Sequence, residues 1–165
     1  MVEARRHIAQ IASALAAAHR LGIVHRDVRP ANVLYDRDSD RVLLTDFGIA
    51  AVLEDGSANL RLTQPGEALG NVSYASPEQL RGETVTDRAD VYSLGVMAFE
   101  MLTGRLPFAA ANPVQMSVAH VTAQPARLRE LLPEADEMLE ALLGRCLQKR
   151  PEQRPFAEEV AKALG

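Results

Sequence analysis

The sequence has 165 residues, 47% of them hydrophobic and 24% charged, with a formal net charge of −4. This is enough for one folded domain or large subdomain with a real core, and the charge argues against nucleic acid or anionic membrane as the main partner. No apolar run is long enough to span a bilayer. Cys146 is the single cysteine, so no internal disulfide can form, which is typical of the reducing cytoplasm.

The first predicted element is an amphipathic helix over residues 2–21. Its apolar residues recur at three- and four-residue spacing from Ile8 to Ala18, and Gly22 is a suitable C′ residue to end it. His19 has no set of partner ligands in the sequence. We therefore expect His19 to be a hydrogen-bonded histidine at the helix end rather than a metal ligand.

The segment from His25 to Asn32 reads H-R-D-V-R-P-A-N and combines several polar functions. Asp27 supplies a carboxylate that can accept a proton, and Asn32 supplies an amide oxygen that can bind a hard cation. Arg26 and Arg29 add fixed positive charge. This combination suits phosphoryl transfer. The alternative is a charged surface turn that caps a helix.

A β-hairpin is predicted next, with residues 33–36 against 42–45 and turn-forming residues between them. Such a hairpin carries the chain out and back. It would return Asp46, the first residue of a D-F-G triplet, to the side of Asn32. Residues 49–75 then have loop-like composition, and a long irregular segment in a compact domain usually serves a function.

A second long helix is predicted over residues 85–104, with Thr86 as its N-cap and Gly104 as its C′ residue. Its apolar residues surround the whole circumference, so the helix should be buried. Asp90 near its start would then be a buried acid that needs hydrogen-bond donors. Three later helices are expected, each entered at or near a proline: 113–121, 134–148 and 155–164. The predicted fold class is α+β, mainly α, with one small hairpin.

The two ordered motifs, His25–Asn32 and Asp46–Gly48, resemble the catalytic loop and the metal-binding triplet of protein kinases. Ser76-Pro77-Glu78 resembles the A-P-E triplet of that family, so residues 46–78 would be the activation segment. The stretch 70–78, G-N-V-S-Y-A-S-P-E, looks especially like bacterial serine/threonine kinases.

The resemblance extends over residues 1–165, but only to the larger, C-terminal lobe of a kinase domain. The β-rich N-terminal lobe, with its Gly-rich phosphate loop and its lysine, has no counterpart in the sequence. The resemblance therefore implies a kinase-like C-terminal lobe without the small lobe. We expect the isolated chain to have little kinase activity and weak affinity for nucleotide.

The resemblance also implies roles for the residues of the motifs. Asp27 would accept or orient the proton of a substrate hydroxyl, and Arg29 stands where the family usually has a lysine that touches the transferred phosphate. Asn32 and Asp46 would hold Mg²⁺ or Mn²⁺, which bridges the phosphates of ATP. Leu34 would lie beneath the adenine ring.

Other matching positions would be structural or would belong to the activation segment: His25, Arg26, Phe47, Gly48, Asn71, Glu78, Asp90 and Arg154. In the family, Phe47 packs near His25, Asp90 accepts bonds from the catalytic-loop backbone, and Arg154 pairs with Glu78. Asn71 stands where these kinases usually have a threonine. In the family, an arginine at the position of Arg26 is typical of kinases whose activation segment is ordered by phosphorylation. Thr63 is our candidate acceptor, with a solvated loop threonine as the equal alternative.

Three functional hypotheses compete. The first is a serine/threonine protein kinase, present here as a fragment, which uses ATP and a protein substrate in the cytoplasm; whether a full-length parent is anchored to a membrane stays open. The second is a catalytically inactive lobe that serves as a binding or regulatory module. The third is a small-molecule phosphotransferase of kinase-like fold, which the D-F-G and S-P-E triplets disfavour. Apolar surface near Phe47, Leu34 and the first helix would invite self-association.

Overall fold

The computed structural model describes residues 1–47 and 72–165. Helices dominate this part of the chain: α1 (Val2–Arg20), α2 (Pro77–Arg81), α3 (Asp87–Thr103), α4 (Pro113–Thr122), α5 (Leu128–Leu131), α6 (Glu137–Cys146) and α7 (Ala157–Leu164). Within the same ranges the strands are β1 (Val33–Asp36) and β2 (Arg41–Leu44), which pair antiparallel. The expected α+β architecture, mainly helical with a small hairpin, is confirmed.

Helix α3 lies at the centre of the core, as its all-round apolar sequence predicts. Every residue from Ala89 to Phe99 is buried, and α1 packs against it along the stripe that begins at Ile8. The side chain of Thr86 accepts the Arg88 N–H, and Gly104 ends the helix in the left-handed region at φ 70°. The capping residues predicted for α3, Thr86 and Gly104, are therefore confirmed, although the helix begins at Asp87 rather than residue 85.

Helices α3 and α6 approach each other closely at Gly95. A Cβ atom built on this glycine would lie 2.7 Å from the Cβ of Cys146, a distance that real Cβ atoms do not reach. Cys146 is fully buried, and burial raises the pKa of its thiol to about 12. The only cysteine of the chain is thus an inert packing residue beside a required glycine.

The side chain of Gln10 helps to fix the hairpin to α1. In register, Leu34 faces Leu43 across the two strands. The Gln10 amide of α1 accepts the Val42 N–H at 2.8 Å and donates to the Asp40 carbonyl at 3.3 Å, so it covers the outer edge of β2. The hairpin that leads to Asp46 is therefore held against the core.

Several predicted boundaries are wrong by one to three residues. Strand β2 begins and ends one residue earlier than predicted. Helix α6 begins at Glu137 rather than residue 134 because Asp136 caps it, accepting the Leu139 N–H at 2.7 Å. Helix α7 begins at Ala157 rather than residue 155 because the Glu159 carboxylate accepts the N–H of Phe156, the residue before the helix.

No helix in the described ranges is long and apolar enough to cross a membrane.

Candidate functional site

The loop between α1 and β1 is attached to the core through Asp90. The carboxylate of this residue is 1% exposed and accepts the His25 N–H at 2.8 Å and the Arg26 N–H at 2.7 Å. His19 Nε2 lies 2.8 Å from the same carboxylate. The buried acid predicted on α3 therefore has its donors, and they include the backbone of the loop that carries Asp27.

The ring of His25 is fixed in one tautomer by its neighbours. Its Nε2 lies 2.8 Å from the Thr45 carbonyl, which can only accept, so this nitrogen carries the proton. Its Nδ1 accepts the Asp27 N–H at 3.2 Å. The ring packs on Phe47 with centroids 4.6 Å apart. With both nitrogens committed to backbone groups, His25 links the Asp27 loop to the end of β2.

Asp27 and Asn32 are in direct contact. The Asn32 Nδ2 donates to the Asp27 carboxylate at 2.9 Å and to the Asp27 carbonyl at 2.7 Å. Arg29 forms an ion pair with the same carboxylate, with Nε 3.3 Å from Oδ2. Because its amide nitrogen is committed to Asp27, the Asn32 atom able to bind a cation is the amide oxygen.

The end of β2 brings Asp46 to the same place. The Thr45 N–H and hydroxyl both donate to the Asn32 carbonyl, at 2.9 and 3.2 Å, so Asp46 follows directly beside Asn32. Asp46 is exposed, with the backbone in the left-handed region at φ 54°, which Asp tolerates better than most residues. The hairpin therefore unites the two predicted acidic motifs, which are 19 positions apart at Asp27 and Asp46.

The oxygen donors of Asn32 and Asp46 fit a Mg²⁺ ion whose remaining ligands are phosphate oxygens. Asn32 offers an amide oxygen and Asp46 a carboxylate, both hard ligands. No group of three or more His, Cys, Asp or Glu residues that could hold a metal by itself occurs in the described ranges. Mg²⁺ is often bound by one or two carboxylates together with substrate phosphates, so a small protein ligand set is what a nucleotide-bound cation requires.

Helix α2 is anchored by a buried ion pair. Arg154 and Glu78 form two parallel bonds of 2.6 and 2.8 Å, and their side chains are 0% and 2% exposed. The remaining guanidinium hydrogens are directed to the carbonyls of Gln148, Arg88 and Lys149. The pairing expected from the sequence is present, and every donor of the guanidinium is used.

Further contacts attach residues 73 and 74 to the core, and the sequence analysis did not predict them. The Tyr74 hydroxyl donates to the Glu100 carboxylate at 2.5 Å, and burial together with this acid raises the pKa of Tyr74. His120 Nε2 donates to the Ser73 carbonyl at 3.0 Å while its Nδ1 accepts from Tyr92 at 2.9 Å. Burial lowers the pKa of His120 to about 4, so the ring is neutral.

Other predicted site residues either lie outside the described residues or have exposed side chains. Gly48, Thr63 and Asn71 lie outside the described residues, as does most of the predicted activation segment 46–78. Arg26 is exposed, with its backbone in the left-handed region at φ 67°. Leu34 is 55% exposed beside its cross-strand partner.

A groove among the described residues lies outside the site itself. It has a volume of about 1030 Å³ and runs between α1, β2 and α7, with Phe47 at one end. None of Asp27, Asn32 or Asp46 lines it. The chemistry of the polar residues, rather than the size of a cavity, therefore defines the candidate site.

A polar loop bonded to a buried helix, together with Asp46 and Phe47 returned by a hairpin, is the arrangement expected of the C-terminal lobe of a protein kinase. The family model described as protein kinase domain matches residues 1–163, and the chain belongs to this family. It is 40% identical over 162 residues to the serine/threonine-protein kinase PknF of Mycobacterium tuberculosis, covering 96% of the chain and 33% of PknF.

Two other relatives come from different bacteria. Identity is 39% over 158 residues with the serine/threonine-protein kinase PkaA of Streptomyces coelicolor, which covers 94% of the chain and 28% of PkaA. With PrkC of Bacillus subtilis it is 38% over 161 residues, covering 98% of the chain and 24% of PrkC. The bacterial type expected from the sequence is confirmed. The chain spans a third or less of the length of these relatives.

Proposed function

We propose that this chain is the C-terminal lobe of a serine/threonine protein kinase, which transfers the terminal phosphoryl group of ATP to hydroxyl groups of a protein substrate. The observation that carries the proposal is the bond of 2.9 Å between Asn32 and the Asp27 carboxylate, directly beside the strand end that bears Asp46. The relatives are named as serine/threonine-protein kinases, which supports this class over the small-molecule phosphotransferases.

Each residue of the site has a separate task in this proposal. Asp27 accepts or orients the proton of the substrate hydroxyl, and the Asn32 amide fixes the direction of its carboxylate. The Asn32 oxygen and the Asp46 carboxylate hold Mg²⁺ or Mn²⁺. When bound, the cation neutralises the charge of the phosphates of ATP. Leu34 provides an exposed apolar contact for the adenine ring.

Arg29 departs from the lysine that the family usually has, and its position supports the same task. Its guanidinium already lies 3.3 Å from the Asp27 carboxylate, so it can reach a phosphate that approaches this acid. A guanidinium is broader than an ammonium group and forms forked contacts, so the geometry differs from that of lysine. Asn71 is the second departure, because an amide has a different reach from the usual threonine hydroxyl.

The proposal includes a location and a form of regulation. The free, buried thiol of Cys146 and the use of ATP suit the cytoplasm, and anchoring of a longer parent protein stays open. Arg26 is exposed beside Asp27 and could hold a phosphate bidentately. We propose Thr63 as the phosphate acceptor. Loss of this regulation in a Thr63→Ala variant of the full-length protein is the expected result, and unchanged activity and phosphorylation would contradict it.

The second candidate function is a catalytically inactive lobe that binds another protein or a second copy. Leu34, Tyr35 and Leu43 are 55%, 46% and 45% exposed on neighbouring strands, an unusual amount of apolar surface on so small a hairpin. Sedimentation of the isolated chain should show concentration-dependent association. A Leu34→Lys variant should reduce this association. The control variant Val114→Lys, which changes another exposed apolar residue but lies on α4, should not.

The experiment that tests the kinase proposal compares the isolated chain with the full-length protein that carries it. With Mg²⁺ and labelled ATP, we expect transfer to a generic protein substrate by the full-length protein and little by the chain alone. An Asp46→Asn variant should raise the metal concentration needed for half-maximal activity. Asp38→Asn, an exposed acid in the hairpin turn, is the matched control. Robust transfer by the isolated chain would contradict the proposed need for a second lobe.

A further inference from the structure

The peptide between Arg26 and Asp27 is held from both sides. Arg26 has φ 67°, a conformation that non-glycine residues rarely adopt and that persists only when the surroundings enforce it. The Asp27 N–H of this peptide donates to the Nδ1 of His25 at 3.2 Å, and its Arg26 carbonyl accepts from the Nε2 of Gln79 at 2.8 Å. Gln79 therefore makes one of the two bonds that fix this peptide.

The same amide also holds the start of α2. The Gln79 Oε1 accepts from the Ser76 N–H and from the Ser76 hydroxyl, each at 3.0 Å. One side chain thus accepts at the beginning of α2 and donates to the loop that carries Asp27. Only an amide has a donor and an acceptor fixed in this arrangement, because a carboxylate lacks the donor.

The simpler explanation is that Gln79 is only a helix cap. A Ser-x-x-Gln capping box needs the Oε1 atom, and Glu serves this purpose as well as Gln. The cap does not need the bond from Nε2 to Arg26, which spans 53 positions of sequence. This extra bond is the observation that a capping role leaves unexplained.

We propose that Gln79 is a positioning residue that couples α2 to the direction of the Asp27 carboxylate. Helix α2 is fixed by the pair of Glu78 and Arg154, so any shift of α2 would reach the Arg26 carbonyl through the Gln79 amide. The end of the predicted activation segment would thereby set the geometry of the catalytic loop. The consequence for phosphoryl transfer rests on the proposed function, whereas the coupling itself does not.

The test uses backbone NMR of the 165-residue chain with two variants. Gln79→Glu keeps the cap acceptor and loses the donor, and Gln79→Met loses both without adding charge. We expect both variants to change the amide nitrogen shift of Asp27 in the same direction. Both should also speed hydrogen exchange of the Asp27 amide by up to about tenfold, because this amide shares a peptide with the Arg26 carbonyl and that peptide loses one of its two hydrogen bonds.

The matched control is Gln115→Glu. Gln115 also accepts a backbone N–H at the start of a helix, from Ala111 at 3.0 Å, and it is exposed. Its substitution adds the same charge at the start of α4. It should leave the signals of Arg26 and Asp27 unchanged. Exchange of the buried amides of α3 measures global stability in every variant, so a general loss of stability is distinguished from a local effect.

The outcomes separate the proposal from the proposed function. If Gln79→Glu behaves like Gln115→Glu at Arg26 and Asp27, or if Gln79→Met alone changes these signals, Gln79 is a helix cap only and the proposal fails. In the full-length protein, Gln79→Glu should lower kcat about tenfold and leave the KM for ATP unchanged. A full-length protein with no transfer activity would overturn the proposed function but not a coupling seen by NMR.

Discussion

The Arg154→Met substitution tests the role of the buried ion pair that anchors α2. Methionine fills much of the volume of the arginine stem but leaves the Glu78 carboxylate, 2% exposed, without either of its charged donors. Removing one partner of a buried pair costs about 3–5 kcal/mol, because the remaining charge stays buried and unpaired. Three backbone carbonyls lose a donor as well.

This loss is large compared with the stability of an ordinary domain. The free energy of unfolding of a domain is about 5–15 kcal/mol, so the substitution should remove about a fifth or more of the total. For a chain of this size, the corresponding fall in Tm is about 6–20 °C. Urea unfolding followed by circular dichroism measures the free energy directly, and Glu78→Gln, which keeps an acceptor oxygen, should give an intermediate loss.

The control is an exposed ion pair of the same type. Arg145 and Glu159 lie 3.8 Å apart with side chains 55% and 52% exposed, so Arg145→Met should cost less than about 1 kcal/mol. If Arg154→Met costs no more than Arg145→Met, burial of the pair does not stabilise the fold, and our reasoning about the anchor of α2 is wrong.

Three other predictions concern the core and the hairpin. Gly95→Ala should lower the urea midpoint by the equivalent of about 1–3 kcal/mol, since the new Cβ would overlap Cys146; an unchanged midpoint would contradict this packing. Folding lowers the pKa of His120 from 6.5 to about 4 because the buried ring resists protonation. The contribution of the neutral ring to the stability of the fold is therefore complete above pH 6.5 and is lost as the pH falls towards 4. His120→Gln should therefore weaken the acid dependence of stability between those values, and an identical dependence would count against it. Gln10→Ala should speed hydrogen exchange of the Val42 amide by several-fold, and equal rates would mean that the Gln10 amide does not hold the hairpin.

The elements that sequence analysis predicted well have strong local patterns. Helix α3 has an N-cap at Thr86, a C′ glycine at Gly104 and apolar residues on all sides. The first two predict where the helix begins and ends, and the third predicts that it is buried. The hairpin was predicted because two β-like runs enclosed a polar turn. Its geometry then placed Asp46 beside Asn32, as the two motifs require.

The features that were missed depend on contacts between distant parts of the chain. His19 was expected to be hydrogen-bonded, but nothing in its own segment indicated that its partner would be Asp90, 71 positions away. No local sequence feature of Glu100 indicates its contact with the Tyr74 hydroxyl, 26 positions away. Short helices such as α2 and α5 have too few residues for a periodic pattern.

The central claim is that Asp27 is the catalytic acid–base residue of a protein kinase. The most direct measurement is the rate of phosphoryl transfer from Mg²⁺ and ATP to a protein substrate by the full-length protein and its Asp27→Asn variant. Asparagine keeps the shape and can still contact Asn32, but it cannot accept the proton. We expect kcat to fall about 10²–10⁴-fold with little change in the KM for ATP. Equal rates for the two proteins would contradict the claim.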